Sequence, residues 1–388
     1  MKIVVNPRGA ARVRKGHPWV YRSDLLSVDG VEPGAISPVT DSAGNLLGSA
    51  LYSSASQIAV RMISDGEVHR DEFGPLLLRR MNAAFDLRRQ VVCNSDAYRL
   101  VFSEADFLPG LIADRYNDVI SMQVLTQGMD SSPVRELVVQ KLVERFSPAG
   151  VVERVEERIR DLEQLPARAS GLLHGSKAQT TFTMNGIRFL YDGMSGQKTG
   201  SFLDQRENYA AALQYAHGDA LDVFCYQGGF ALHLAQKCGR VTAIDSSRPA
   251  LEIAEKNEAL NDCTVEWIEA NAFDLLKDYA AAGREFDTIV LDPPAFAKSR
   301  WAVQAALRGY KELNLRALKM LRPDGLLVTC SCSYHVNEAE FLEMLASAAV
   351  DARRRVRVLE RRTQAKDHPV LLTVPETQYL KCVLALVV

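Results

Sequence analysis

Five short apolar runs, at residues 220–224 (A-L-D-V-F), 241–245 (V-T-A-I-D), 265–268 (V-E-W-I), 287–292 (D-T-I-V-L-D) and 326–329 (L-L-V-T), alternate with stretches of helical spacing. No other feature of the chain restricts its fold as tightly. Apolar runs of this kind are strands buried on both faces, and such strands separated by helices build a doubly wound, mostly parallel sheet of the α/β class. Ligands on these sheets bind beyond the carboxyl ends of the strands. The residues that close the five runs are therefore the first candidates for chemistry.

The N-terminal half is patterned differently. Up to about residue 64, short β-rich runs separated by Gly, Pro, Asp and Ser turns predict a small barrel or sandwich. Residues 73–92 carry apolar positions at helical spacing among several arginines, which predicts a connecting helix. Between residues 98 and 191, L-P-G-L-I-A-D-R-Y and V-I-S-M-Q-V-L predict a hairpin and residues 134–146 an amphipathic helix. T-T-F-T-M-N-G-I-R-F-L predicts two strands about an Asn185-Gly186 turn. The expected organisation is three domains: 1–70, a small β-barrel; 71–190, a central α+β domain; and 191–388, the doubly wound domain.

With 388 residues, 47% hydrophobic and 24% charged, the chain can bury a substantial core. No uncharged apolar run reaches the roughly 18 residues of a membrane span, and the N-terminal residues lack the apolar core of a signal peptide. A cytoplasmic, reducing location is expected, with the cysteines as thiols. Cys330 and Cys332, one residue apart, would form a strained ring as a disulfide, and C-x-C lacks the paired spacing of a zinc site, so no metal is expected. The net charge of −2 argues against a generic nucleic-acid binder. Residues 1–22, however, carry Lys2, Arg8, Arg12, Arg14, Lys15 and Arg22 with no acid, which reads either as a solvated basic arm or as a phosphate-contacting one.

The first run leads through C-Y-Q-G-G-F into a helical segment. Gly228 and Gly229 there allow close approach of backbone to a ligand, and a helix N-terminus offers N–H groups to a negative charge. Asp245 closes the next run 17 residues after Gly228, near the roughly 20 that separate a glycine loop from a ribose-binding carboxylate. The loop is not G-x-G-x-x-G, so the cofactor expected is S-adenosylmethionine rather than a dinucleotide. A helix-packing Gly pair is the competing explanation. Asn271, in E-A-N-A-F-D, stands where it could meet an adenine edge or simply cap a helix. Asp292 closes the fourth run in L-D-P-P-A-F, where two prolines stiffen the loop behind it.

At these residues the chain resembles the RlmI-like family of 23S ribosomal RNA cytosine-C5 methyltransferases, built from a PUA domain, a central α+β domain and a Rossmann-like class I methyltransferase domain. The likeness spans nearly the whole chain. It is carried by G-H-P-W-V-Y (16–21), L-P-G-L-I-A-D-R-Y (108–116), K-T-G-S-F-L-D-Q-R-E-N (198–208), D-V-F-C-Y-Q-G-G-F (222–230), L-D-P-P-A-F (291–296), S-C-S (331–333) and D-H-P-V-L-L (367–372). The resemblance implies that Gly228, Gly229 and Asp245 line the methyl-donor pocket with Gln205 and Arg206 nearby, and Phe224, Ser246, Asn271, Ala272 and Asp292 complete the candidate cofactor set. It also implies that the first domain helps hold ribosomal RNA, for which Arg8, Arg12, Arg14, Lys15 and Trp19 are the candidates. Monomer and homodimer both remain open.

Carbon 5 of cytosine is a poor nucleophile, so its methylation requires a thiolate to attack carbon 6 first. Ala295 follows D-P-P where some RNA cytosine methyltransferases carry that cysteine, which leaves T-C-S-C-S to supply it. If the strand ends near Thr329, Cys330 is still strand-packed and Cys332 lies beyond it, so Cys332 is the expected nucleophile and Asp292 the group holding the N3/N4 edge of the base. Cys330, Cys225 and Cys238 are expected as small buried hydrophobes. The T-C-S context keeps Cys330 open as the nucleophile. A guanine or uridine methyltransferase on the same scaffold, and a non-catalytic RNA-binding assembly factor, remain competing readings.

Overall fold

The N-terminal β-rich region forms a six-stranded sheet in the order Trp19–Tyr21, Ile58–Ser64, Leu46–Tyr52, Ile36–Asp41, Lys2–Val5, Leu25–Asp29. Its register slips at Val20/Tyr21, Val39/Thr40 and Ser49/Ala50. Such bulges bend and twist strands, which lets a small sheet wrap a core made of Ile3, Val5, Val20, Val39 and Val60. The computed structural model describes residues 1–194 and 201–388, so Lys198, Thr199 and Gly200 of the K-T-G motif lie outside the described residues.

Here one expectation is corrected. Residues 1–22 are no arm: they fold into a strand, the helix Pro7–Arg14 and a second strand. Asn6 caps the helix by accepting from Gly9 N at 2.9 Å, and Pro7 supplies the fixed φ of its first turn. Arg8 and Arg12 both reach the buried Asp24 at 2.5 Å, and Arg14 pairs with Asp41. Burial alone would raise the Asp24 carboxyl, but the two guanidiniums outweigh it and hold it below its ordinary value. The surplus positive charge counted along residues 1–22 is thus partly neutralised by acids that follow it in sequence.

The predicted connecting helix is Phe73–Val91. A five-stranded sheet follows, in the order Gly171–Gly175, Gly150–Glu153, Val119–Val124, Leu111–Tyr116, Ala97–Phe102. The expected hairpin is there, with Tyr116 opposite Val119 across a two-residue turn. The Asn185-Gly186 turn also forms, both residues at positive φ (52° and 87°) as a type I′ turn requires. Met1–Phe182, the stretch from Tyr191 and the later segment Lys366–Thr377 make one compact unit. The D-H-P-V-L-L motif therefore belongs with the N-terminal sheets.

Arg88 explains why. It is fully buried, bonds Asp106 Oδ1 at 2.5 Å and donates to the carbonyls of Asp367 (2.8 Å) and Arg99 (3.0 Å). Asp367 in turn accepts from Arg99 N at 2.8 Å. A buried guanidinium must find this many acceptors or remain uncompensated.

The second unit comprises Thr183–Leu190, Ser201–Ala365 and Gln378–Val388. Its seven-stranded sheet runs Glu266–Glu269, Arg240–Asp245, Asp219–Val223, Phe286–Leu291, Leu321–Ser331, Lys381–Val387, Val356–Arg362. The first five strands are parallel; Lys381–Val387 pairs antiparallel with Leu321–Ser331, and Val356–Arg362 pairs antiparallel with Lys381–Val387. Helices Val303–Met320 and Glu338–Asp351 bury Leu313, Leu318 and Phe341 against Ile289 and Leu327, so both the strand runs and the helix stripes are consumed by one core. The order reverses at Asp219–Val223, which makes the carboxyl ends of that strand and its neighbours the ligand-binding crevice of a doubly wound sheet. Among the described residues no helix is long and apolar enough to cross a membrane.

Arg88→Ala is expected to destabilise the first unit by roughly 3–5 kcal/mol, because it strands a buried carboxylate and two carbonyls. Urea denaturation of the full chain checks this. A loss below about 1 kcal/mol would show that the Asp106 and Asp367 segments are held by packing alone.

Candidate functional site

The turn after the central strand is the most contorted stretch of the second unit. Phe224, Tyr226 and Gly228 have φ values of 68°, 50° and 87°. Left-handed backbone at two non-glycine residues persists only where surrounding bonds over-determine it. Phe224 N and Cys225 N both donate to Ile244 O, at 2.9 and 3.0 Å. Asp245 accepts from Tyr226 N at 2.9 Å with one carboxylate oxygen and from Ser247 N at 2.8 Å with the other. The acid that closes the second strand thus clamps the loop that leaves the first.

Both glycines are also required by protein packing. A side chain at Gly228 would lie 2.8 Å from the Trp267 ring, and one at Gly229 would lie 2.5 Å from the Tyr209 hydroxyl. The helix they open, Gly229–Leu234, has only 6 residues, and its Ala231 N–H is taken by Asp222 at 2.8 Å. That one N–H is therefore engaged within the protein. Asp222 is fully buried; burial first, then the charges of Asp292 and Asp245, push its carboxyl well above the usual range. Asn271 does cap a helix: its side-chain oxygen accepts from Phe273 N at 2.9 Å and Asp274 N at 3.3 Å at the head of Ala272–Ala281. Ser246 is exposed and Ala272 buried.

Across the crevice, Gln205 Nε2 donates to Asp292 Oδ2 at 3.0 Å. Gln205 Oε1 accepts from Asn208 at 2.6 Å, and Asn208 Oδ1 accepts from Arg362 at 2.9 Å. This chain orients Asp292 from behind. Asn208 was legible only as a letter of the motif, and Arg362 lies on a strand that sequence reasoning did not identify. Arg206 is buried, and its carbonyl accepts from Asn185 at 2.9 Å.

The two neighbouring cysteines part company. Cys330 is fully buried and faces Cys382 across the antiparallel pair; burial, and then Cys382, push its thiol well up. Cys332 is half-buried just past the strand end, with Sγ 3.9 Å from Pro293 O. It is held there by its flanks. Tyr310 OH bonds Ser331 Oγ at 3.0 Å and Ser333 Oγ at 2.9 Å, and Ser333 Oγ also accepts from Ala297 N at 3.0 Å. The S-C-S tripeptide is thereby tied to a buried phenol and to the loop after Asp292. Tyr310 gave no signal in sequence. Cys225 is buried as expected, whereas Cys238 is half-buried, its thiol raised by burial to about 11.

In the first unit, Trp19 Nε1 donates to Glu104 at 3.0 Å and Arg12 lies inside its ion pair, while Arg8, Arg14 and Lys15 remain exposed. Among the described residues no three His, Cys, Asp or Glu side chains converge as a metal site would need.

Residues 3–65 match the family described as a PUA-like domain, and residues 113–376 match the S-adenosylmethionine-dependent methyltransferase family. The chain is similar to the ribosomal RNA large subunit methyltransferase I of Shewanella denitrificans, with 37% identity covering 99% of each chain. It is also similar to that of Photobacterium profundum, with 36% identity covering 95% of each. A crystal structure of a methyltransferase complexed with SAH superposes over 100% of both chains with a TM-score of 0.85 at 19% identity, a likeness of fold.

His233 ties the short helix down. Its Nδ1–H donates to Gly229 O at 2.6 Å, and Nε2 accepts from Asn185 Nδ2 at 3.2 Å. Burial pulls its pKa down from 6.5 to about 4. The folded value lies below the unfolded one, so this contribution is complete above about pH 6.5 and is lost as the pH falls through about 4, up to ~3 kcal/mol. Urea denaturation at about pH 7.5 and about pH 4.5 is expected to show a smaller acid loss in His233→Gln than in wild type. Equal losses would mean that His233 is not the acid-sensitive group.

Proposed function

Because the chain belongs to the S-adenosylmethionine-dependent methyltransferase family of the ribosomal RNA large subunit methyltransferase I proteins, we propose that it forms 5-methylcytidine in 23S ribosomal RNA through a covalent bond between Cys332 and carbon 6 of the base. S-adenosylmethionine, when bound, supplies an electrophilic methyl group on a sulfonium. The residues present fit that donor. The left-handed turn at residues 224–228 is braced by Asp245 at the strand end, where a carboxylate can accept ribose hydroxyls beside its two backbone donors. Gly228, Ser246 and Asn271 flank it, with Gln205, Arg206, Phe224, Gly229 and Ala272 completing the set we assign to the donor.

The observation that carries the reading is the contrast between the two thiols. Cys332 is accessible beside the D-P-P loop, while Cys330 is sealed in the sheet with its thiol pushed up. In the reaction Cys332 adds as thiolate to carbon 6, and the displaced π pair makes carbon 5 nucleophilic toward the methyl group. Loss of the carbon 5 proton and expulsion of the thiolate then restore the aromatic ring. Asp292, oriented by Gln205, holds the N3/N4 edge and shares a proton with N3 as negative charge reaches it.

The target base has to be unstacked, since neither carbon can be approached from both sides inside a helix. The substrate is accordingly single-stranded or locally melted RNA. Trp301, 97% exposed just after Arg300 on the segment that follows the D-P-P loop, is the kind of aromatic surface on which such a base's neighbour stacks. Lys15, Arg8 and Arg14 remain the candidates for phosphate contact in the PUA-like domain.

Asp245→Ala is expected to weaken S-adenosylmethionine binding at least tenfold, because charge-assisted bonds contribute roughly 1.5–3 kcal/mol each. Calorimetry with unchanged affinity would reject Asp245 as a donor ligand. Cys332→Ser should abolish methyl transfer and Cys330→Ser should not. RNA carrying 5-fluorocytidine should trap a denaturant-resistant adduct that depends on Cys332 alone. An adduct lost instead with Cys330→Ser would reassign the nucleophile, and methylation of natural RNA with no adduct from any variant would refute cytosine C5 chemistry.

A further inference from the structure

The segment that leaves the D-P-P loop joins unpaired positive charge to an exposed aromatic ring. Residues 293–311 carry Lys298, Arg300, Arg308 and Lys311 with no acid. Lys311 is paired with Asp351 at 2.6 Å. Lys298, Arg300 and Arg308 are exposed, and among the described residues their side chains have neither a carboxylate nor another acceptor within reach. Trp301 stands among them, 97% exposed. Tryptophan is on average a highly buried residue. The other two in this chain are half-buried and bond their indole N–H to a carboxylate, Trp19 to Glu104 at 3.0 Å and Trp267 to Glu258 at 2.5 Å. Trp301 has no hydrogen-bond or ring partner among the described residues.

The protein holds this segment at both ends. Ala297 N donates to Ser333 Oγ at 3.0 Å, beside Cys332. The Phe296 ring packs on Tyr310 with centroids 4.8 Å apart, and it lies so close to Gly309 that a side chain there would meet it at 3.4 Å. Trp301 follows Ala297 by 301 − 297 = 4 residues, which can span at most roughly 14 Å. A strand of stacked nucleotides covers that distance in about four residues. A base resting on Trp301 is therefore a near neighbour in sequence of one that enters beside Cys332. An aromatic ring among cations is how single-strand binding surfaces are built, since every base offers a π-face to the ring and the cations follow the backbone. A second copy of this chain fits less well: across a two-fold axis the patch would meet itself, setting Lys298, Arg300 and Arg308 against like charges with no acid in the segment between them.

We propose, on the reading that a base enters the crevice beside Cys332, that Lys298, Arg300, Trp301 and Arg308 form a contact for single-stranded RNA flanking the target. Trp301 stacks on a neighbouring base while the three cations meet its phosphates. The methyltransferase unit thus grips the strand with a surface of its own, in addition to whatever the PUA-like domain supplies. Paired RNA gains only the phosphate contacts, because bases stacked in a duplex present no free face to the ring.

The test is fluorescence anisotropy of the full-length protein with a labelled single-stranded RNA of about 12 nucleotides, and with the same strand annealed to its complement. Trp301→Ala is expected to weaken single-strand binding roughly 5–150-fold. Trp301→Phe should retain most of the affinity, and calorimetric affinity for S-adenosylmethionine should hold in both variants. Replacing Lys298, Arg300 and Arg308 together with Ala should flatten the slope of log affinity against log salt by about 2, whereas Trp301→Ala should leave that slope as in wild type. Duplex binding should not respond to Trp301. Equal single-strand affinity in wild type and Trp301→Ala overturns the proposal, and so does an equal loss of duplex and single-strand binding. Sedimentation that shows a dimer lost in Trp301→Ala, with RNA affinity unaltered, would give the patch to a second copy instead. Binding is read here without catalysis, so a missing 5-fluorocytidine adduct would refute the cytosine chemistry and leave these outcomes standing.

Discussion

The parallel pairing of Asp219–Val223 with a strand on each side is the constraint on which the rest of the second unit depends. Asp222 lies opposite Ala243 on one flank and Val290 on the other, and Val223 lies opposite Ile244 and Leu291. Once those registers are set, the two neighbouring strands end in Asp245 and in the residue before Asp292 at the same edge as the loop at 224–228. Strands buried on both faces tolerate no one-residue slip, because every side chain would change face. Helix packing and sheet pairing therefore fix the spacing of the three acids before any ligand arrives.

That proximity carries an electrostatic cost. Burial first, and then the charges of Asp292 and Asp245, push the Asp222 carboxyl toward its neutral form. The fold answers each acid with donors chosen locally: Ala231 N–H for Asp222, Tyr226 and Ser247 N–H for Asp245, and the Gln205 amide for Asp292.

In the first unit the same problem is solved with arginines. Asp24 takes two of them, Asp41 a third, and Arg88 is itself the buried ion that gathers Asp106 and the Asp367 backbone. A motif such as D-H-P-V-L-L can therefore owe its pattern to the anchoring of a late segment of chain. Basic residues near the N-terminus are likewise shared between structural pairing and the exposed surface carried by Lys15.

By itself the sequence determined the parts governed by local rules. The five parallel strands were legible because doubly buried strands must be continuously apolar, and the Asn185-Gly186 turn because only such residues accept two positive φ angles. The separation of a strand-packed Cys330 from Cys332 followed from counting past the apolar run. Tertiary structure alone decided what depends on residues distant in the chain. Val356–Arg362 is an edge strand with a largely exposed, arginine-bearing face, so it has no apolar pattern to betray it. Lys381 meets Ser331 and Ser333 only because an antiparallel strand returns from 48 residues downstream of Ser333. Tyr310 reaches the serines from another helix, and Asp24 neutralises arginines that precede it. Charge, burial and hydrogen bonding are properties of neighbours in space, and a linear chain records those neighbours only where they are also neighbours in sequence.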